Sequence, residues 1–223
     1  QTSYNVTVNN GDAWKGNLFI HYSSPTMSSS MRAVKIIDTS GVEVFSENWG
    51  SKGRDFKVNY NNKISYFDRS TKGWFIMDSL QNVLDSVYFQ NGYIADGHDF
   101  LALPNGNYVL ISYDEQPYAM DTIVSGGDPN AIIEGLIIQE LDPSHNVIFE
   151  WKSWDHFHIT DNTHLDLLSS NLPFIHANAI EIDFDGHLLI SSRNLDEITK
   201  INRINCLQNV DIQWGPFSEC IQK

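Results

Sequence analysis

Asp38-Thr-Ser-Gly41 separates two short apolar runs, Ala33-Val-Lys-Ile-Ile37 and Val42-Glu-Val-Phe45. The same arrangement returns from Met77-Asp78 to Val83 and from Leu141-Asp142 to Val147, with a looser copy from Ile201 to Val210. Short apolar runs bounded by Asp, Asn, Gly and Pro read as strands joined by tight turns. A second hairpin type places His before an apolar strand, an Asn-Gly or Asp-Gly turn, and a strand ending in Ser. His98 to Ser112 and His176 to Ser191 fit it. The two types alternate. Four-stranded units of about 40 to 60 residues are the sequence mark of a β-propeller.

The expected fold is therefore all-β, with residues 1–223 forming a single propeller domain or part of one. Three to four blades fit into the chain. Trp49, Trp151 and Trp214, each at the end of an outer strand, favour blades over the competing β-sandwich. Residues 204–223 fit the repeat poorly and form an atypical C-terminal segment. Helical periodicity is nearly absent, and only residues 163–170 read as a short polar helix. Aromatic residues make up 12% of the chain, which suits a pleated surface. Residues 115–134 read as a long polar loop over one face, and residues 152–174 as a second insertion.

Fourteen basic residues stand against 28 acidic ones, a formal charge of −14. No basic stripe is available to neutralise phosphates, which argues against a nucleic-acid partner. An anionic small molecule would need a local positive site working against the overall field. No apolar run reaches the roughly 18 residues of a membrane-spanning helix. The chain begins Gln1-Thr-Ser-Tyr, which is consistent with a processed end and an exported protein. Asn5-Val-Thr7 matches a glycosylation acceptor. Cys206 and Cys220 either close one loop in an oxidising compartment or remain two thiols.

One hairpin carries chemistry. His176 and Asn178 are two residues apart in an extended segment, so their side chains point the same way. The turn at Asp185-Gly186 sends the next strand back and brings Arg193 towards His176. An imidazole, an amide and a guanidinium held together suit a tetrahedral oxyanion such as sulfate or phosphate.

Three stretches carry a family resemblance. They are Asp96-Gly-His-Asp-Phe-Leu-Ala-Leu-Pro-Asn-Gly-Asn-Tyr-Val-Leu110, Phe174-Ile-His-Ala-Asn-Ala-Ile180 and Leu189-Ile-Ser-Ser-Arg-Asn194. Together with Glu150-Trp-Lys-Ser-Trp-Asp-His-Phe-His-Ile-Thr-Asp161, the succession resembles the bacterial arylsulfotransferase family, across roughly residues 93–203. The resemblance implies a six-bladed propeller in an exported protein. It implies transfer of a sulfuryl group from an aryl sulfate to a phenol without PAPS or another cofactor, through a covalent sulfohistidine. By matching motif, His98, His176 and Arg193 would be catalytic and Asn178 would bind substrate. His176, Asn178 and Arg193 would hold the sulfuryl oxygens. His98 would donate to the leaving phenoxide or to the sulfuryl group. The family's nucleophilic His follows in a later blade, and this sequence has no His after Arg193.

His156 and His158 read as polar residues lining a substrate entrance. With Asp155, Asp161 and His164 nearby, zinc is the competing reading if both His share one side of a strand; the expectation is no metal. His145 and His187 lie at turns and read as exposed. His21 lies in a strand and reads as structural.

Overall fold

The computed structural model describes residues 7, 11, 15–24, 26–28, 31–162 and 164–203. Asn5, the looser fourth repeat, Trp214, both cysteines and residues 204–223 lie outside the described residues. The chain divides into two compact units, Gln1–Ser86 and Val87–Lys223.

In the first unit, β1 (Leu18–Tyr22), β2 (Ala33–Ile37) and β3 (Glu43–Asn48) form one antiparallel meander. β4 (Lys52–Val58), β5 (Ile64–Asp68), β6 (Gly73–Met77) and β7 (Val83–Val87) form a second. Val34, Ile36, Phe56, Ile64, Tyr66 and Met77 bury a shared core, lined by Phe19, Phe45 and Trp49. Its aromatic rings interlock, with Trp49 and Tyr66 centroids 4.7 Å apart.

The second unit is built on β8 (Ala95–Ala102), β9 (Tyr108–Tyr118), β10 (Ala131–Leu141) and β11 (Val147–Lys152). The order across this sheet is β11-β10-β9-β8. Beyond β11, the same edge of β10 takes β12 (Asn171–Pro173) in parallel, with Ile132 opposite Asn171 and Glu134 opposite Pro173. β13 (Ala177–Ile182), β14 (Leu188–Ser192) and β15 (Glu197–Ile201) complete the unit as a three-stranded meander. One apolar core joins both sheets, with Leu136, Ile138, Ile111, Phe174, Ile175 and Leu188 among its most buried members. The described residues are thus all-β apart from short 3₁₀ turns. Four sheets run antiparallel except at β12, and none closes on itself.

The Asp repeat has a local physical cause. The N–H groups of Asp38, Asp78 and Asp142 donate to the carbonyls of Val42, Asn82 and Asn146 at 3.0, 3.1 and 2.9 Å. Each Asp Oδ1 also accepts two N–H groups of its own turn, at 2.8 to 3.0 Å. Such carboxylates replace turn backbone partners. Together with side-chain hydrogen bonds from Ser40, Asn82 and Asn146, these donors hold the three carboxyls below the ordinary range. The fourth turn residue is left-handed in each case: Gly41, Gln81 and His145 have φ of 85°, 66° and 65°. Leu103 and Asp183 close the hairpins at Gly106 and Gly186 with the same main-chain pattern. The two hairpin types seen in the sequence therefore share one turn.

Three expectations are corrected: His187, read as exposed at its turn, is buried, and the two segments read as a loop and a helix differ. The loop read over residues 115–134 is shorter, because β9 runs to Tyr118 and β10 starts at Ala131, pairing Glu115 with Glu134 and leaving residues 119–130 between the strands. The exposed end of β9, Glu115-Gln-Pro117, masked the alternation there. Residues 164–170 form turns and bends rather than a helix. β4 was not legible because Asp55, at φ 49°, and two register shifts break its period.

Candidate functional site

β8 alternates in burial, so Asp96 and His98 share its half-exposed side while Ala95, Gly97 and Asp99 face inward. One oxygen, Asp96 Oδ1, serves both the main chain and the ring of His98. It accepts the His98 N–H at 2.8 Å and contacts Nδ1 at 2.5 Å. A carboxylate only accepts, so the proton of that contact belongs on Nδ1 and Nε2 is left for substrate. β8 leaves its regular ladder with β9 between Ala95 and Phe100, which frees the His98 N–H for this contact.

His176 sits between β12 and β13. Its ring meets that of His98 edge to face, with centroids 4.8 Å apart and planes at 81°. Tyr113 of β9 lies nearly parallel to the other side of His176, at 5.8 Å and 13°. The Tyr113 hydroxyl donates to the carbonyl of Ala177 at 2.9 Å. Tyr113 therefore holds both the ring and the backbone of this corner. Burial, and next the charges of Asp96 and Glu134, push its phenol well above the ordinary value of 10.0; Arg193 acts in the opposite sense. Glu134 is itself pushed up, by burial first and then by Glu115 and Asp96.

Arg193 arrives at the corner as the sequence pattern expects. Its main-chain N–H donates to the His176 carbonyl at 2.9 Å. The residue begins a 3₁₀ turn, Arg193–Leu195, and its side chain is exposed. Arg193 Nε donates to Asn194 Oδ1 at 3.2 Å. Asn194 Nδ2 in turn donates to the Pro173 carbonyl. Buried Asn162 ties the turn down further, donating to the carbonyls of Asn194 and Phe174. Asn178 is the extra residue of a bulge between Ala177 and Ala179, and it is exposed. The bulge interrupts the strict alternation on which the shared side of His176 and Asn178 was argued.

His156 and His158 come from the segment between β11 and β12. They belong to two 3₁₀ turns, Ser153–Asp155 and Ile159–Asp161, and their flanks, not to a strand. The His156 ring stacks on Trp151 at 5.0 Å and 6°. Burial lowers its basicity against the opposing pull of Asp155. His158 is exposed, and its N–H donates to Asp161 Oδ2 at 2.8 Å. His164 pairs with Asp196 instead of turning towards them. Among the described residues no group of three or more His, Cys, Asp or Glu is arranged to hold a metal ion.

Sequence reasoning overlooked Tyr113, Asp96, Asn162 and Asn194 as parts of this site. Asp96 had a usable signal, since i and i+2 share a strand side with His98. Tyr113 and Asn162 had none, because their roles exist only after β9, β12 and β13 have packed.

An all-β chain that presents two ring-contacting histidines beside an arginine turn defines a site suited to anionic groups. The chain belongs to the arylsulfotransferase (ASST) family, whose sequence profile matches residues 5–215. Its function is accordingly sulfotransferase-like in general terms. No curated protein matches the chain. Among solved structures, a protein of unknown function from Bacteroides caccae is similar at 12% identity and a TM-score of 0.31, over 84% of this chain and 74% of that one. No helix among the described residues is long and apolar enough to cross a membrane.

Proposed function

We infer that this protein moves a sulfuryl group from an aryl sulfate to a phenol, and that its four meander sheets are blades of a propeller in an exported protein. The observation that carries the reading is the contact between His98 and His176, with Asp96 on one ring and Arg193 on the other residue's carbonyl. In this reading Arg193, His176 and Asn178 hold the three sulfuryl oxygens, where guanidinium and imidazole donors match the geometry. Protonated His98, oriented by Asp96, gives its Nε2 proton to the leaving phenoxide as the S–O bond breaks and the electron pair goes to oxygen. The sulfur forms a bond to the nitrogen of an acceptor histidine. In the second half, neutral His98 takes the acceptor phenol's proton while that phenol's oxygen attacks sulfur and the S–N bond breaks. His156 and His158 would stand near the substrate's approach.

The sequence after Arg193 contains no histidine, so the acceptor role falls to a residue that this hairpin does not provide. The exposed Arg193 beside the histidine pair also fits a second reading, a binding module that holds aryl sulfates without turning them over. The deciding experiment mixes the protein with 4-nitrophenyl sulfate and phenol and follows 4-nitrophenolate. Release that depends on phenol supports transfer. Calorimetric binding of 4-nitrophenyl sulfate without release supports the module, and neither binding nor release overturns both.

A further inference from the structure

Four cationic or cationisable side chains meet in the first unit, whereas the histidine pair belongs to the second. His21 lies on β1 opposite Val34 of β2. Arg32 directly precedes β2, Arg54 lies on β4 opposite Phe67, and Arg69 directly follows β5. Gly53 is what lets the two sheets approach here. A Cβ on Gly53 would stand 2.3 Å from Val34 Cγ1 and 3.4 Å from His21 Cδ2, and its φ of +101° suits glycine alone. The β1–β3 meander thereby lays the His21 ring against β4. All three arginines act on His21 electrostatically, and Arg54 and Arg32 act on Arg69.

The cluster is uncompensated. In a chain with 28 carboxylates, no ion pair joins one to Arg32, Arg54 or Arg69 among the described residues. Carboxylates adjacent in sequence are engaged elsewhere. Asp55 pairs with Lys57 at 2.7 Å, and Asp68 Oδ1 accepts Ser51 and Ser70 hydroxyls at 2.9 and 2.7 Å. Among the described residues, the side-chain hydrogen bond of Arg32 is a 3.4 Å contact to the Met27 carbonyl. His21 Nε2, Arg32 Nε and Arg69 Nε are buried with no hydrogen-bond partner among the described residues. Buried donors on like-charged groups are costly in both respects, and a bound anion relieves both.

We propose that His21, Arg32, Arg54 and Arg69 form a second anion site, in the first unit, for a small dianionic oxyanion or the oxyanion end of an ester. Planar guanidiniums grip two oxygens at once, so sulfate and phosphate suit the cluster better than chloride. The site is independent of the histidine pair.

Calorimetric titration with sodium sulfate, and separately with sodium phosphate, tests it against sodium chloride at equal ionic strength. In Arg193→Ala, where the histidine-pair site lacks its guanidinium, sulfate or phosphate is expected to give a saturable one-site heat that chloride lacks. That heat falls at least tenfold on adding Arg32→Gln or Arg69→Gln. In parallel, the His21 ring resonances of the unmodified protein, assigned with His21→Gln, shift during the sulfate titration. Phenyl sulfate titrated likewise separates the two sources: tighter binding than inorganic sulfate assigns the ester end, weaker binding the free ion, and either upholds the site. Absence of a heat, its loss in Arg193→Ala with retention in Arg69→Gln, or unmoved His21 resonances overturns the proposal. The resonance measurement keeps the test decisive if an arginine variant fails to fold.

Discussion

Asp99 Oδ2 accepts the main-chain N–H of Ile180 at 2.7 Å, a buried bond between β8 and β13. Asp99 is the neighbour of His98, and Ile180 lies four residues after His176, so this bond ties together the two strands that carry the rings. Asp99→Ala leaves the Ile180 N–H buried without that partner and should cost about 1–3 kcal/mol in urea unfolding. It should also separate the His98 and His176 ring resonances from their mutual ring-current effects. A variant that loses stability but keeps those effects would show that other contacts set the spacing.

Arg193→Ala keeps the N–H that binds the His176 carbonyl and removes an exposed guanidinium. Aryl sulfate turnover should fall by about 10²–10³ in kcat/KM. Stability should stay within about 0.5 kcal/mol, as expected of an exposed side chain. Arg193→Lys should recover little, because an ammonium lacks the two-pronged fit. A steady-state assay beside a thermal melt checks all three outcomes, and a large drop in melting temperature would make Arg193 structural.

Tyr113→Phe removes one buried hydroxyl bond to Ala177 and should cost about 0.5–1.5 kcal/mol. The phenol also predicts an alkaline limb. Burial raises Tyr113, and raises Tyr66 to about 12, both from an ordinary 10.0. The folded state therefore keeps these protons longer than the unfolded state does. Their contribution is complete below pH 10.0 and is lost as pH rises through the folded values. Phenolate absorbance should show Tyr113 and Tyr66 ionising only with unfolding, and Tyr113→Phe should lower that unfolding-linked amplitude by one tyrosine.

On the acid side His21 dominates. Burial first, then Arg69, Arg32 and Arg54, lower its pKa from 6.5 to about 4. The unfolded chain binds this proton more readily, so stability is complete above pH 6.5 and declines as pH falls towards 4. His156, also lowered by burial, adds to the same slope. Urea midpoints at pH 7 and pH 5 should differ, and His21→Gln should shrink the difference. An unchanged pH dependence in that variant would place the proton uptake elsewhere.

The hairpins were legible because their turns are local. Asp38, Asp78 and Asp142 bond to N–H groups two and four residues on, and such contacts leave a spacing in the sequence. The approach of Arg193 to His176 was legible for the same reason, since one hairpin spans both. Asn178 was harder: a bulge is one extra residue, and nothing in Ala177-Asn-Ala179 signals it. The stack of His156 on Trp151 was hidden by two 3₁₀ turns in a segment that alternates polar and aromatic residues. His21 read as structural because its three arginines come from separate strands and loops. Only packing across Gly53 puts them on one imidazole.

Parallel pairing of β12 with β10 gives the site a latch. Antiparallel neighbours zip outward from a tight turn, but a parallel pair must wait for its crossover to close. The crossover here runs from β11 through both 3₁₀ turns to Asn171, and β12 contributes only three residues to the ladder. A single protease cut at Leu168, which is 54% exposed, would therefore unhook the chain leading into His176 while the β9–β10 hairpin stays intact. On the proposed function, transfer would be lost while β9 and β10 stayed paired.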